Sequence, residues 1–133
     1  MVKVISIGAA SLALLIGVGY FFTIGFVKPM STDLSVIGKG KPVLVLAYEN
    51  YSPDGGEALS RLQKVKGDYH SRLDFVVADL GTPQGFAFAD RHKMFNGQAV
   101  FLKQNGEPLE VTYIPTNEQE LRSQLDSKLA TVE

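Results

Sequence analysis

Tyr51, Ser52 and Asp54, with the two histidines His70 and His92, are the side chains whose types could support nucleophilic or acid-base chemistry. A serine nucleophile needs a base within hydrogen-bond reach, and the sequence places neither histidine beside Ser52. Ser52 is better explained as the N-cap of a helix that Pro53 opens at its first position. Asp54 then sits in the first helical turn, where a carboxylate interacts favourably with the helix dipole. Tyr51 fits two roles equally, a recognition residue beside Tyr48 or a cover over strand ends. The chain has no cysteine, which removes thiol chemistry, disulfides and a lipoprotein-type anchor. His70 and His92 are far apart and lack partners at ligand spacing, so no metal and no cofactor is expected. Gly55-Gly56 is not a phosphate loop, because no lysine followed by Ser or Thr comes after it. With 13 basic and 14 acidic residues and no block of one sign, the chain has no basic stripe for nucleic acid.

The elements that must position these residues alternate in type. The run 42–48, PVLVLAY, is continuously apolar and Val/Leu-rich, as a strand covered on both faces should be. A helix follows from Ser52-Pro53 to about residue 67, with Leu59, Leu62, Val65 and Tyr69 as its buried stripe. Residues 73–78, LDFVVA, form the next strand, and Thr82-Pro83 repeats the cap-then-proline signal before a short helix over 84–92. Strands at 99–103 and 109–114 flank Asn105-Gly106, a turn pair tolerant of positive φ, and so form a hairpin. Thr116 and Gln119 make a capping box for a last helix lined by Leu121, Leu125 and Leu129. The order β-α-β-α-β-β-α predicts an α/β domain with one mixed sheet. Phe86, Phe88, Met94 and Phe95 are the densest aromatic stretch. Phe86 and Phe88 cannot both face inward on a regular helix, so one of them is left either for a partner or for ordinary surface packing.

Upstream, residues 4–27 are 24 consecutive uncharged residues bracketed by Lys3 and Lys28. As a helix at about 1.5 Å per residue this run spans a hydrocarbon core of roughly 30 Å. Tyr20, Phe21 and Phe22 suit the headgroup boundary near its C-terminal end. A cleaved signal peptide fits less well, because the run exceeds an ordinary h-region and no A-x-A-like site follows. Ala9, Ala13 and Gly17 recur at four-residue spacing, which is either a packing face for another helix or the common small-residue content of membrane helices. Lysines on both sides leave the positive-inside rule undecided. The short tail before Lys3 favours a cytoplasmic N-terminus and a domain on the periplasmic or luminal side. The expected organisation is an anchor at 1–28, a Pro/Gly/Ser-rich linker at 29–41 ending in an edge strand or turn, and a domain at 42–133.

KPVLVLAYENYSP near the start of the domain and FLKQNGEP near its end, in this element order, resemble the thioredoxin family. The resemblance covers nearly all of residues 39–129, including Pro53 in the turn and Asp79 closing the second strand. It implies a thioredoxin-like fold whose extra first strand and helix are missing or reduced to a remnant at residues 34–37. Laid over the family's W-C-G-P-C motif, Asn50 takes the tryptophan position, Tyr51 and Asp54 the two cysteines, and Ser52 the glycine. The family's cis-proline position falls on Gln98, where an ordinary trans bond is expected, since a non-proline cis bond costs about 2.5–4 kcal/mol. Tyr51, Ser52, Pro53, Asp54 and Gln98 therefore mark a degenerate redox site and a candidate binding surface, with Tyr48, Phe86, Phe88 and Phe95 as candidate partner contacts. Together these features suggest a single-pass, redox-inactive protein that serves as an interaction, accessory or assembly subunit of a membrane complex. The alternative is a membrane-tethered chaperone or peptide-binding module using the former active-site groove. An enzyme of non-thiol chemistry ranks third.

Overall fold

The apolar run beginning at Pro42 becomes strand β1 (Val43–Tyr48), which is buried along nearly its whole length because it is flanked on both sides. A computed structural model describes residues 30–50 and 52–132. The apolar run at 4–27, with Ala9, Ala13 and Gly17, lies outside the described residues, as does Tyr51. Strand β2 (Asp74–Asp79) pairs parallel to β1, and β3 (Gln98–Leu102) pairs antiparallel on its other side. Strand β4 (Pro108–Tyr113) is one edge and β2 the other, giving the order β2-β1-β3-β4. Its alternating exposure contrasts with β1, as an edge strand with one wetter face requires. Gly106, at φ 89°, turns the β3–β4 hairpin, and Lys103 N–H closes it on the Glu107 carbonyl at 2.8 Å.

The side chains of β1 point alternately to two cores, as strand geometry dictates. Leu44 and Leu46 face helix α1 (Pro53–Tyr69) and helix α3 (Glu118–Val132), together with Leu62, Phe101 and Leu125. Val43, Val45 and Ala47 face helix α2 (Pro83–His92), together with Val76, Phe88 and Val100. The Tyr69 hydroxyl ties α1 to α3 by donating to Asp126 Oδ1 at 2.9 Å. The result is a mixed four-stranded sheet covered on both faces, the α/β arrangement expected from the element order.

Several local expectations are corrected. Ser52 has the extended backbone of a cap, but its side chain makes no capping hydrogen bond. The backbone starts the helix instead, with Gly56 N–H donating to the Ser52 carbonyl at 3.3 Å and Pro53 presetting the first helical φ. The buried stripe of α1 runs through Gly55, Ala58, Leu62, Val65 and Tyr69, and Leu59 is only half-buried. At the start of α3, Asn117 takes the capping role expected of Thr116. Its Oδ1 accepts from Gln119 N–H at 2.8 Å and Glu120 N–H at 3.2 Å. At α2 the signal holds, and Thr82 Oγ1 accepts from Gly85 N–H at 3.1 Å.

The stretch read from its composition as a linker is packed on the domain over residues 30–41. Met30 is buried in the core shared with α1 and α3, and Ser31 forms a single parallel bridge to Val76 on the outer edge of β2. Leu34–Val36 form a 3-10 turn, capped by Asp33 Oδ1 on Ser35 N–H at 3.0 Å. Leu34, Val36 and Ile37 pack against the α2 side of the sheet, and Gly40 N–H then donates to Gln104 O at 3.1 Å. Serine at 31 and 35 and glycine at 38 and 40, the glycines at positive φ, shape a chain that must double back between its bridge to β2 and the start of β1. The apolar residues between them have a surface to cover, which composition alone does not reveal.

His92 lies in the last turn of α2 with its ring centroid 4.4 Å from that of Phe88. Burial, and after it the neighbouring Arg91 guanidinium, holds His92 below the ordinary histidine value. The unfolded chain therefore binds this proton more readily than the folded one. His92's contribution to stability is complete above the unfolded value of about 6.5 and is lost as pH falls below it toward the folded value. Thermal melts of a His92→Gln variant should show a smaller loss of Tm between pH 7 and pH 5 than the parent. An unchanged slope would remove His92 from the account.

Candidate functional site

The C-terminal ends of β1 and β2, the N-terminus of α1 and the loop entering β3 meet at one pole of the sheet, and Ser52, Pro53, Asp54 and Gln98, the described candidate site residues, are found there. Ser52 N–H donates to the Glu49 carbonyl at 3.2 Å, closing a tight turn between β1 and α1. The facing loop is strapped to that turn at two points. Gly97 N–H donates to the Ala47 carbonyl at 2.9 Å, and Asn96 Oδ1 accepts from Glu49 N–H at 2.8 Å. Gly55 makes this approach possible, because a Cβ there would collide with the Asn96 carboxamide and lie 3.2 Å from the Tyr48 ring.

Gln98 opens β3 after a trans peptide bond, as expected; among the described residues no peptide bond is cis. Its side chain folds back on its own loop, with Oε1 accepting from Phe95 N–H at 2.7 Å while Gln98 N–H donates to the Phe95 carbonyl at 3.0 Å. The carboxamide therefore braces the loop instead of lying open in a groove. Asp54 is exposed in the first turn of α1.

Neither histidine joins this pole. His70 follows α1 at the opposite end, with Nδ1 2.8 Å from the Gly67 carbonyl and its own carbonyl accepting from Lys41 Nζ at 2.6 Å. His92 is held against Phe88. Among the described residues no group of three or more His, Cys, Asp or Glu is placed to hold a metal ion.

The candidate contact residues divide. Phe88 is 5 % exposed and belongs to the core beneath α2, so it is withdrawn as a surface contact. Phe86, two positions earlier and on the opposite face of the helix, is 61 % exposed, and Phe95 is 72 % exposed. Tyr48 is half-buried and packs on the core beneath α1. Phe86 and Phe95 line a shallow depression of about 590 Å³ beside the turn, together with Glu49, Leu80, Asp90 and Met94. Tyr113, 65 % exposed, stands opposite Gln98 on β4.

Asn96, Glu49 and Asp90 were not among the residues singled out from sequence. Asn96-Gly97 has the same turn signature as Asn105-Gly106, with Gly97 at φ 87°; that unused signal points to the loop though not to its partner. Removing the strap exchanges the Glu49 amide's acceptor for water, so Asn96→Ala should cost about 0.5–1.5 kcal/mol by chemical denaturation. Amide exchange at Glu49 and Gly97 should also accelerate; unchanged protection at both would contradict the strap.

No protein-family model matches the chain, and no curated protein matches it. Among solved structures it is similar to an uncharacterised thioredoxin-like protein from Clostridium perfringens. The TM-score is 0.65 at 18 % identity, over 78 % of this chain and 84 % of that one. It is also similar to the germline-specific thioredoxin Deadhead of Drosophila melanogaster, with TM-score 0.56 and 19 % identity over 68 % of this chain and 83 % of that one. Thioredoxin of Fasciola hepatica matches with TM-score 0.56 and 16 % identity, over 68 % and 83 %. At these identities the likeness concerns the fold, and the fold is thioredoxin-like.

Proposed function

We propose that this chain is a membrane-anchored, non-catalytic thioredoxin-like protein that acts as an interaction, accessory or assembly subunit of a larger membrane complex. The observation that carries the reading is a pole that keeps its architecture without its thiols. The turn, the facing loop and the strap between them are intact, while the chain has no cysteine and Gln98 braces its own loop. What that pole offers instead is contact surface, in the exposed rings of Phe86 and Phe95.

The anchor rests on the sequence of residues 4–27, whose length and lack of charge suit a span. Among the described residues no helix is long and apolar enough to cross a membrane. In this reading Ala9, Ala13 and Gly17 supply a face for a neighbouring helix, the N-terminus is cytoplasmic, and the domain is periplasmic or luminal. Cross-linking the full chain in native membranes tests the proposal. A small, constant set of adducts is expected, and a C-terminal reporter should be active only outside the cytoplasm.

The depression beside the turn favours a second reading, a membrane-tethered module that holds extended peptides. A peptide holder would give a ladder of many weak adducts that changes with the load of unfolded protein.

A further inference from the structure

We infer that the domain stands on the bilayer in one fixed orientation, with the pole opposite Phe86 and Phe95 resting on anionic lipid headgroups. This inference rests on the membrane-anchored reading and adds to it which surface meets the lipid.

The first argument is chain connectivity. Ser31 bridges parallel to Val76, and its carbonyl accepts from Val77 N–H at 2.8 Å, so the chain arrives along β2 from the Asp74 end. Met30 is already buried in the core at this point. Only Lys28 and Pro29 separate Met30 from the last residue of the apolar run, Val27. Three Cα steps reach about 10–11 Å at most. That is enough to cross a headgroup layer of about 5–7 Å and enter the domain at its near edge. It is too little to turn the domain over, because β2 is six residues long and its far end lies about 17–20 Å from its near end. Inversion would require Met30 to leave the core and Ser31 to leave β2.

Charge adds a second observation to the first. The near pole is built from the segments entering β1, β2 and β4 and the segment leaving β3. These carry Lys39, Lys41, Arg72 and Lys103, with Asp74 and Glu107 as the carboxylates among them. In the sequence, Lys28 adds a further positive charge between the apolar run and the domain. At the far pole, Lys93 is the cation among the loop residues, accompanied by Glu49 and by Asp79 at the end of β2. Juxtamembrane cations are drawn to anionic headgroups over about one Debye length, roughly 8–10 Å, and the tether holds the near pole within that distance. Phe86 and Phe95 then project away from the lipid, toward whatever stands above the membrane.

A cysteine-free chain makes the test direct, because any introduced cysteine is the only thiol. Ser71→Cys, in the exposed turn before β2, and Thr116→Cys, in the exposed loop after β4, mark the two poles. Each variant of the full chain is labelled with a fluorophore and reconstituted in phosphatidylcholine–phosphatidylglycerol vesicles containing a headgroup nitroxide lipid. Quenching at position 71 should exceed that at position 116 by at least about threefold, since only the near pole lies within the headgroup layer. Equal or reversed quenching in vesicles that retain the chain through a carbonate wash would overturn the orientation alone. Loss of the chain in that wash would overturn the anchored reading as well.

Discussion

Gly85→Ala should be the most damaging single-methyl change in the domain, lowering stability by about 3 kcal/mol. Gly85 is the third residue of α2 and is pressed against the residue that ends β2. A Cβ there would collide with the Asp79 carbonyl oxygen and lie 2.6 Å from both the carbonyl carbon and the amide nitrogen of Asp79. Those are backbone atoms, and they are pinned. Gly81 N–H donates to Asp79 Oδ1 at 2.8 Å, Thr82 Oγ1 to the Asp79 carbonyl at 2.8 Å, and Thr82 N–H to the same carbonyl at 3.0 Å. The clash cannot be relieved by rotating a side chain, so α2 must move off the sheet and uncover Phe88 and Ala89. Gly56 provides the opposite case. It lies in α1, and a Cβ there would meet nothing within 4 Å. Gly56→Ala should therefore raise stability by about 0.5–1 kcal/mol through helix propensity and a more restricted unfolded chain. Thermal melts followed by circular dichroism would show the contrast, with Tm falling by more than about 10 °C for Gly85→Ala and rising by a few degrees for Gly56→Ala. Equal shifts for the two variants would show that the packing of α2 against Asp79 has been misjudged.

If the chain is the complex subunit proposed above, replacing Phe86 and Phe95 together by serine should detach it from that complex while leaving the domain folded. Both rings are more exposed than buried, so their loss should change unfolding free energy by about 0.5 kcal/mol or less. Exposed aromatic rings seated in a partner's pocket are the residue class that dominates interface energies, with truncation costing about 2 kcal/mol or more at a hot spot. The expected result is at least a tenfold to hundredfold fall in the fraction of chain recovered in the complex, at unchanged Tm. Phe88→Ser is the informative control. Its ring lies in the core, so it should lower Tm sharply, and any loss of assembly should follow the loss of folded protein. If the double serine variant assembles as well as the parent, this pole is not the contact surface.

How much of this was legible in the sequence depended on whether the signal was local. β1 was readable because a strand covered on both faces must be apolar throughout, and Pro42 to Tyr48 is. α2 was readable because Thr82 and Pro83 satisfy two independent requirements of a helix start at adjacent positions. The start of α3 was displaced by one residue because Thr116 and Asn117 are both cap formers. The choice fell to Asn117, whose carboxamide reaches two free amides at once. Ser52 misled for a related reason, since a cap residue before proline predicts the helix correctly even when its hydroxyl contributes nothing. A turn or remnant at residues 34–37 was expected, but the burial of Met30 and the packing of Leu34, Val36 and Ile37 were illegible, because they depend on an edge of β2 and a face of the sheet assembled from distant residues. The same holds for the site. Helical period shows that Phe86 and Phe88 point in opposite directions, but only the docking of α2 decides which faces out. Asn96 becomes a strap only once Glu49 lies opposite it, 47 residues away in the chain.

The most direct test of the central proposal is mild-detergent extraction of native membranes containing a C-terminally tagged chain, followed by sizing and quantitative mass spectrometry of what co-purifies. The account predicts one large species in which this chain and its partners occur at fixed stoichiometry. A monomer, or a shifting population of sub-stoichiometric clients, would contradict a subunit role and leave the peptide-holding module as the better description.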